Sequence, residues 1–184
     1  KNTDRVLLFT DKGNMHQIKC QDVPLGKFKD KGVPIDNISK YNANQEEIIY
    51  VNVKSALAGK TLIFATRDAM LKLVETSEFE TANKLVAATK LGEGDRLIEI
   101  REMAYETDIV FETHDGYFLR CSLSDIPLQK KNSKGVIGIR LGKCDTLEHF
   151  YLLGTEPVEI TYRKKPLSLN RLKIAGRAGK GTKH

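Results

Sequence analysis

The sequence predicts an all-β fold built from about four small antiparallel units of propeller type. Three observations predict it. The chain repeats itself at a period near fifty residues. Short apolar runs end in tight-turn signals. Helical periodicity is almost absent.

The repeat is clearest between two segments. Val6-Leu7-Leu8-Phe9-Thr10-Asp11-Lys12-Gly13 aligns with Ile109-Val110-Phe111-Glu112-Thr113-His114-Asp115-Gly116. In each, a threonine falls three residues before a glycine. Eleven residues after each glycine stands a proline, Pro24 or Pro127, and nineteen after it a second glycine, in Lys31-Gly32-Val33 and Lys134-Gly135-Val136. A weaker copy, Leu62 to Ala69, puts alanine at the glycine position, and the offset of the lysine-glycine pair falls there on Ala87-Ala88. A fourth, partial copy runs from Val158 to Gly181. Thr10, Thr66, Thr113 and Thr161 are 56, 47 and 48 residues apart. The chain is therefore read as one domain, 1–184, with repeats at approximately 1–56, 57–104, 105–153 and 154–184.

Each unit opens with a hairpin. Val6 to Thr10 reads as a buried strand, Asp11-Lys12-Gly13 as a turn needing positive φ, and Met15 to Cys20 as the returning strand. Pro24 and Pro127 close the hairpins, since proline cannot continue a central ladder. Third strands are expected in 47–53, 96–100 and 146–153, and at most a turn or two of helix in 76–83. Phe9, Phe64 and Phe111 are expected to share one repeat position in the core. The four threonines are expected to satisfy turn hydrogen bonds.

Composition narrows the function. Hydrophobic content of 40% and charged content of 29% suit a soluble globular protein, and no apolar run is long enough for a membrane helix. The polar stretch Lys1 to Arg5 lacks the apolar core of a signal peptide. Cys20, Cys121 and Cys144 are isolated and the four histidines scattered, so free thiols in a reducing cytoplasm are expected and no zinc site. Gly92-Glu93-Gly94-Asp95 lacks the ligand count of a calcium loop and is read as a turn. Ser124, Asp125 and His114 have no context that would make them a catalytic triad.

The net charge is +6, and it is unevenly spread. Residues 75–112 are rich in Glu and Asp. From Glu156 onward basic residues dominate, so one part of the molecule is suited to an anion and another is not.

The pattern apolar strand, Thr-x-x-Gly, strand, Ile/Val-Pro, basic loop, Lys-Gly-Val resembles the repeat of the C-terminal domain of bacterial type IIA topoisomerase A subunits, the gyrase and topoisomerase IV family. The resemblance covers essentially the whole chain and is clearest in Val6 to Asn37 and Ile109 to Leu141. It implies a β-pinwheel, a propeller-like disc of antiparallel blades that bends duplex DNA around a basic rim. It places the catalytic tyrosine and the ATPase elsewhere in the holoenzyme. No cofactor is then expected in this domain, while the parent enzyme would use ATP and Mg. The implied partners are duplex DNA, the ATPase B subunit and the remainder of the A subunit, in the bacterial cytoplasm and at no membrane.

Two departures bear on the type. The gyrase box, of the form Gln-Arg-Arg-Gly-Gly-Lys-Gly, has no full copy. Gly176-Arg177-Ala178-Gly179-Lys180-Gly181 comes nearest. A degenerate box points toward a topoisomerase IV-like subunit. Four units are fewer than the five or six blades of the family, so either blades are missing or this is a short variant.

The candidate DNA-binding residues sit in short, basic, glycine-terminated loops. Lysine and arginine neutralise phosphate, and glycine lets backbone N–H groups approach it. They are Lys27, Lys29, Lys31, Lys130, Lys131, Lys134, Arg171, Lys173, Arg177 and Lys180. Such contacts position DNA without reading sequence. The alternative is a propeller-like protein-interaction module whose acidic second unit meets a partner.

Overall fold

Tight turns set the frame of the molecule. In the computed structural model, which describes residues 3–184, Gly13 and Gly116 take φ of +74° and +83°, and Ala69 accepts the same left-handed conformation at +59°. At each of these turns the N–H of the third residue after the threonine bonds back to that threonine's carbonyl. The hairpins that follow are β1 (Arg5–Thr10) with β2 (Asn14–Lys19), β4 (Thr61–Thr66) with β5 (Met70–Glu75), and β8 (Asp108–Thr113) with β9 (Tyr117–Ser122).

A third strand then flanks the first strand of each hairpin: β3 (Ile48–Val53) on β1, β7 (Leu97–Glu102) on β4 and β11 (Leu147–Leu153) on β8. In the second and third units a buried aspartate fixes where this strand starts. Asp95 Oδ1 accepts from Asp68 N at 3.0 Å and Arg96 N at 2.8 Å. Asp145 Oδ1 accepts from Asp115 N and Thr146 N at the same two distances. A one-turn helix α1 (Lys54–Leu57) leads from β3 into the second unit.

The fourth strand of each sheet comes from the following unit. β6 (Leu85–Ala87) pairs with β2, β10 (Val136–Ile137) with β5, and β14 (Thr182–Lys183) with β9. The segment between a hairpin and its third strand thus acts as a strap across the neighbouring sheet. Three four-stranded sheets result, followed by a two-stranded hairpin of β12 (Glu159–Tyr162) and β13 (Lys165–Ser168). This last hairpin turns through Arg163 and Lys164, both at positive φ. On its strap-side edge stands Pro166, at the place where Gln17 and Leu73 give a backbone N–H to a strap in the earlier sheets. Proline has no such donor.

Three apolar clusters lie between successive sheets. Leu7, Phe9, Leu62 and Phe64 fill the first. Ile63, Ala65, Ile109 and Phe111 fill the second, and Val110, Phe118 and Leu169 join the third. Phe9, Phe64 and Phe111 are all buried, but they do not share one position. Counted from the turn threonine, Phe64 and Phe111 match Leu8, while Phe9 matches Ala65 and Glu112. Neighbours in a strand face opposite ways. Phe9 therefore points forward into the first cluster, where Phe64 meets it edge-on at 6.0 Å from the sheet opposite.

The threonines also divide. Thr66 and Thr113 accept from the N–H groups of Met70 and Tyr117 at 3.2 Å, as expected. Thr10 instead donates to Glu46 at 2.7 Å, and Thr161 is exposed. Glu46 also takes Asn14 Nδ2 at 3.1 Å and lies 2.6 Å from Nε2 of the buried His16, so it fastens the first unit's long loop to its hairpin. The three cysteines are free, and among the described residues no helix is long and apolar enough to cross a membrane.

Candidate nucleic-acid interface

The straps share a register, and this places their lysines. Val86 lies opposite Met15, Val136 opposite Leu71 and Thr182 opposite Phe118, each two residues past the turn. Two residues before each stands a lysine: Lys84, Lys134 and Lys180. All three are exposed. Although equal offset falls on Ala87-Ala88 in the second unit, Lys84 keeps the row of lysines unbroken there. The second strap is three residues shorter, so its lysine arrives earlier, and Leu85 replaces the glycine.

Successive straps touch. Lys90 N donates to Ser133 O at 3.3 Å, Arg140 N to Gly179 O at 2.8 Å and Ala178 N to Gly138 O at 2.7 Å. Lys90 and Arg140 hold equivalent positions where the strap ends, and both are exposed. The second, third and fourth straps thus form one continuous edge carrying Lys84, Lys90, Lys134, Arg140 and Lys180. The sequence reading omitted Lys84, Lys90 and Arg140. The signal for the last two was the shared run Lys90-Leu91-Gly92 and Arg140-Leu141-Gly142.

The named candidates sit in different settings. Lys130, Lys134, Arg171, Lys173 and Lys180 are exposed on the third and fourth straps or at their base. Lys180 lies over the Tyr117 ring at 5.2 Å. Lys131 is half-buried, and its ammonium donates to Glu78 O at 2.7 Å, so it binds protein first. Arg177 is half-buried as well and gives Nη1 to Ile137 O at 2.6 Å, tying the fourth strap to the third. Lys27, Lys29 and Lys31 are exposed on the first strap, which pairs with no sheet among the described residues.

Behind the edge, three side chains hold the loops. Gln17 Nε2 donates to Thr81 O and Asn83 O at 3.0 and 2.9 Å. Lys72 Nζ reaches the carbonyls of Lys130, Lys131 and Ser133 at 3.3, 2.8 and 2.9 Å. Arg120 Nη1 donates to Asn170 O and Leu172 O, while its Nε binds Asp108 at 2.9 Å. Burial pushes the Lys72 ammonium down to about 8, against the pull of nearby Glu78.

A cleft beside the hairpin turns mixes Arg67 and Arg96 with Asp11, Glu47 and Glu148. Among the described residues no group of three His, Cys, Asp or Glu could hold a metal ion.

Repeated four-stranded sheets, strap exchange and one basic edge define a class: a propeller-like all-β domain with lysines and arginines along one edge. The chain belongs to the family described as the DNA gyrase C-terminal domain, beta-propeller, whose model matches residues 4–53, 60–101 and 107–153. It is 30% identical to the DNA gyrase A subunit of Lawsonia intracellularis over 188 residues, covering 98% of this chain and 23% of that protein. Against the DNA gyrase A subunit of Staphylococcus epidermidis the identity is 30% over 190 residues, covering 98% and 21%. The chain thus spans less than a quarter of the length of these curated relatives. Among solved structures, the C-terminal domain of DNA topoisomerase IV superposes with a TM-score of 0.87 at 24% identity, covering 99% of this chain and 58% of that one. The E. coli ParC C-terminal domain gives 0.83 at 17% identity, covering 100% and 78%. At these identities the superpositions speak for the fold.

Proposed function

We propose that this chain binds and bends duplex DNA without sequence preference, as the C-terminal accessory domain of a type IIA topoisomerase A subunit. The observation that carries the reading is the continuous strap edge, with Lys84, Lys134 and Lys180 at one register and Lys90 and Arg140 between them. Spaced cations along a rigid edge suit a phosphate backbone, which carries charge at regular intervals. Lys130, Arg171 and Lys173 extend the stripe, and Lys27, Lys29 and Lys31 continue it on the first strap.

In this reading the ATP- and Mg-dependent strand passage belongs to the ATPase B subunit together with the rest of the A subunit, in the bacterial cytoplasm. The chain itself, on the same reading, supplies DNA affinity and bending. Its degenerate box favours a topoisomerase IV-like parent over a gyrase. Lys31-Gly32, Lys134-Gly135 and Lys180-Gly181 match only the closing lysine-glycine of the gyrase box, and no loop carries its arginine pair.

The test is affinity for unrelated duplexes across a salt series. Counterion release makes log affinity fall linearly with log salt, at roughly −0.9 per phosphate contacted. With about four to six lysines and arginines engaged, the slope is expected near −4 to −5 by that rule. A flat response would leave a protein-interaction module as the better account.

A further inference from the structure

Lys72 is a buried cation with no carboxylate partner. Its side chain is 1% exposed, and its ammonium lies 5.6 Å from the centre of the Phe64 ring. It forms no ion pair within salt-bridge distance among the described residues. A lysine has three N–H donors, and Lys72 aims them at three carbonyls of one loop, Lys130 to Ser133. Burying a charge is costly, and an apolar side chain would fill this space without that cost. What Lys72 adds is a fixed loop shape.

That shape has an electrostatic consequence. A carbonyl oxygen is the negative end of the peptide dipole. Three of them are bound by Lys72, Ser133 O being shared with Lys90 N of the adjoining strap, while Lys130 and Lys134 stand exposed. The loop therefore presents its cations outward with the opposing dipoles engaged.

The type of bonding recurs from the neighbouring strand position, since Gln17 and Arg120 align with Leu73 rather than with Lys72. Arg120 draws in the carbonyls of Asn170 and Leu172 beneath Arg171 and Lys173. Gln17 does the same for Thr81 and Asn83. The two loops richer in basic residues hang on a cation, and Thr81-Ala82-Asn83, which has none, hangs on a neutral amide. We infer that Lys72 is a positioning residue for DNA binding: it holds the Lys130–Lys134 loop in the geometry that meets phosphate. This rests on the DNA-binding reading above.

The test is a salt series on the 184-residue chain with Lys72→Met, with Lys130→Ala/Lys134→Ala, and with all three changes together. Lys72→Met is expected to lower the slope by about one to two units, at about 0.9 per lost phosphate contact, with the fold retained by circular dichroism. The triple variant is expected to lose no more than the double. A folded Lys72→Met chain with the wild-type slope, or losses that simply add, would overturn the proposal, because a residue serving stability alone lowers the melting temperature and leaves the slope unchanged. If Lys72→Met does not fold, Lys72→Gln takes its place, since it keeps two donors as Gln17 does. It is expected to lower the slope by about one unit, and a wild-type slope there overturns the proposal equally. A wild-type chain that binds no duplex overturns the DNA reading itself. A steep wild-type slope beside unchanged variants overturns the role of Lys72 alone.

Discussion

Gly135 crosses the backbone of Leu71 so closely that a Cβ on the glycine would lie 2.4 Å from the leucine carbonyl oxygen. Gly181 stands in the same relation to Phe118, at 2.6 Å. Both have positive φ, +93° and +77°. Gly32 shares the conformation at +72° but has nothing within 4 Å. The three glycines look alike in sequence and should respond differently. Gly32→Ala is expected to cost about 1 kcal/mol, the left-handed penalty alone. Gly135→Ala adds a backbone collision that can be relieved only by moving the strap, for about 2–4 kcal/mol in all. Chemical denaturation of the two variants checks this, and equal losses would contradict the strap packing.

The shared register of the straps predicts a shared contribution to DNA binding. Lys84→Ala, Lys134→Ala and Lys180→Ala are each expected to flatten the salt slope by about 0.9. Lys131→Ala should do less, since its ammonium already holds the Glu78 carbonyl. A Lys84 variant indistinguishable from wild type would show that the acidic second unit lies off the DNA path.

Lys72 gives the stability a pH dependence of known sign. Its folded pKa is lowered from 10.5 to about 8 by burial. Between those values the unfolded chain holds the proton and the folded chain has released it. The unfolded state then binds more protons, so stability rises with pH across that window. The gain is at most about 3 kcal/mol at 1.36 kcal/mol per unit, and smaller to the extent that the three carbonyls favour the ammonium. Lys72→Met has no such group. The stability difference between the two proteins, measured from pH 7 to 10, should therefore move in favour of wild type.

The thiols should separate by reactivity. Burial pushes Cys121 up to about 12, with Asp125 adding to the shift, whereas Cys144 is exposed and Cys20 half-buried. A thiolate is needed for alkylation. Labelling at neutral pH is expected to modify Cys144 first, Cys20 more slowly and Cys121 only on unfolding, as mass spectrometry of peptides would show. Early labelling of Cys121 would mean that the second cluster opens readily.

Much of this fold was legible in the sequence because its signals are local. The hairpins follow from Thr10 to Gly13 and Thr113 to Gly116, where turn chemistry and apolar runs agree. The strap exchange was not legible. Val136 pairs with Leu71 across 65 positions of chain, and nothing in a two-residue strand reveals its partner. Two readings failed for different reasons. Phe9 and Phe64 look alike as rings, yet one position in a strand reverses the face. Lys84 was missed because the second strap is shorter than the first and third. For the candidate interface, charge marked loops that the fold places along the strap edge, but only the contacts of Lys131 and Arg177 distinguish cations engaged with protein from cations left at the surface.

The borrowed fourth strand has a meaning for how such a protein could lengthen or shorten over time. Its period in sequence is out of phase with its period in space. A copied stretch of one period brings a hairpin lacking a fourth strand and a strap lacking a sheet. Inserted in frame, it satisfies the neighbour before it and is completed by the neighbour after it. Growth by whole periods therefore creates no new kind of seam. An insertion of half a period would strand β6, β10 or β14 opposite the wrong edge. Pro166 marks where that rule is suspended, since the edge it occupies cannot give the N–H on which a further strap would hang.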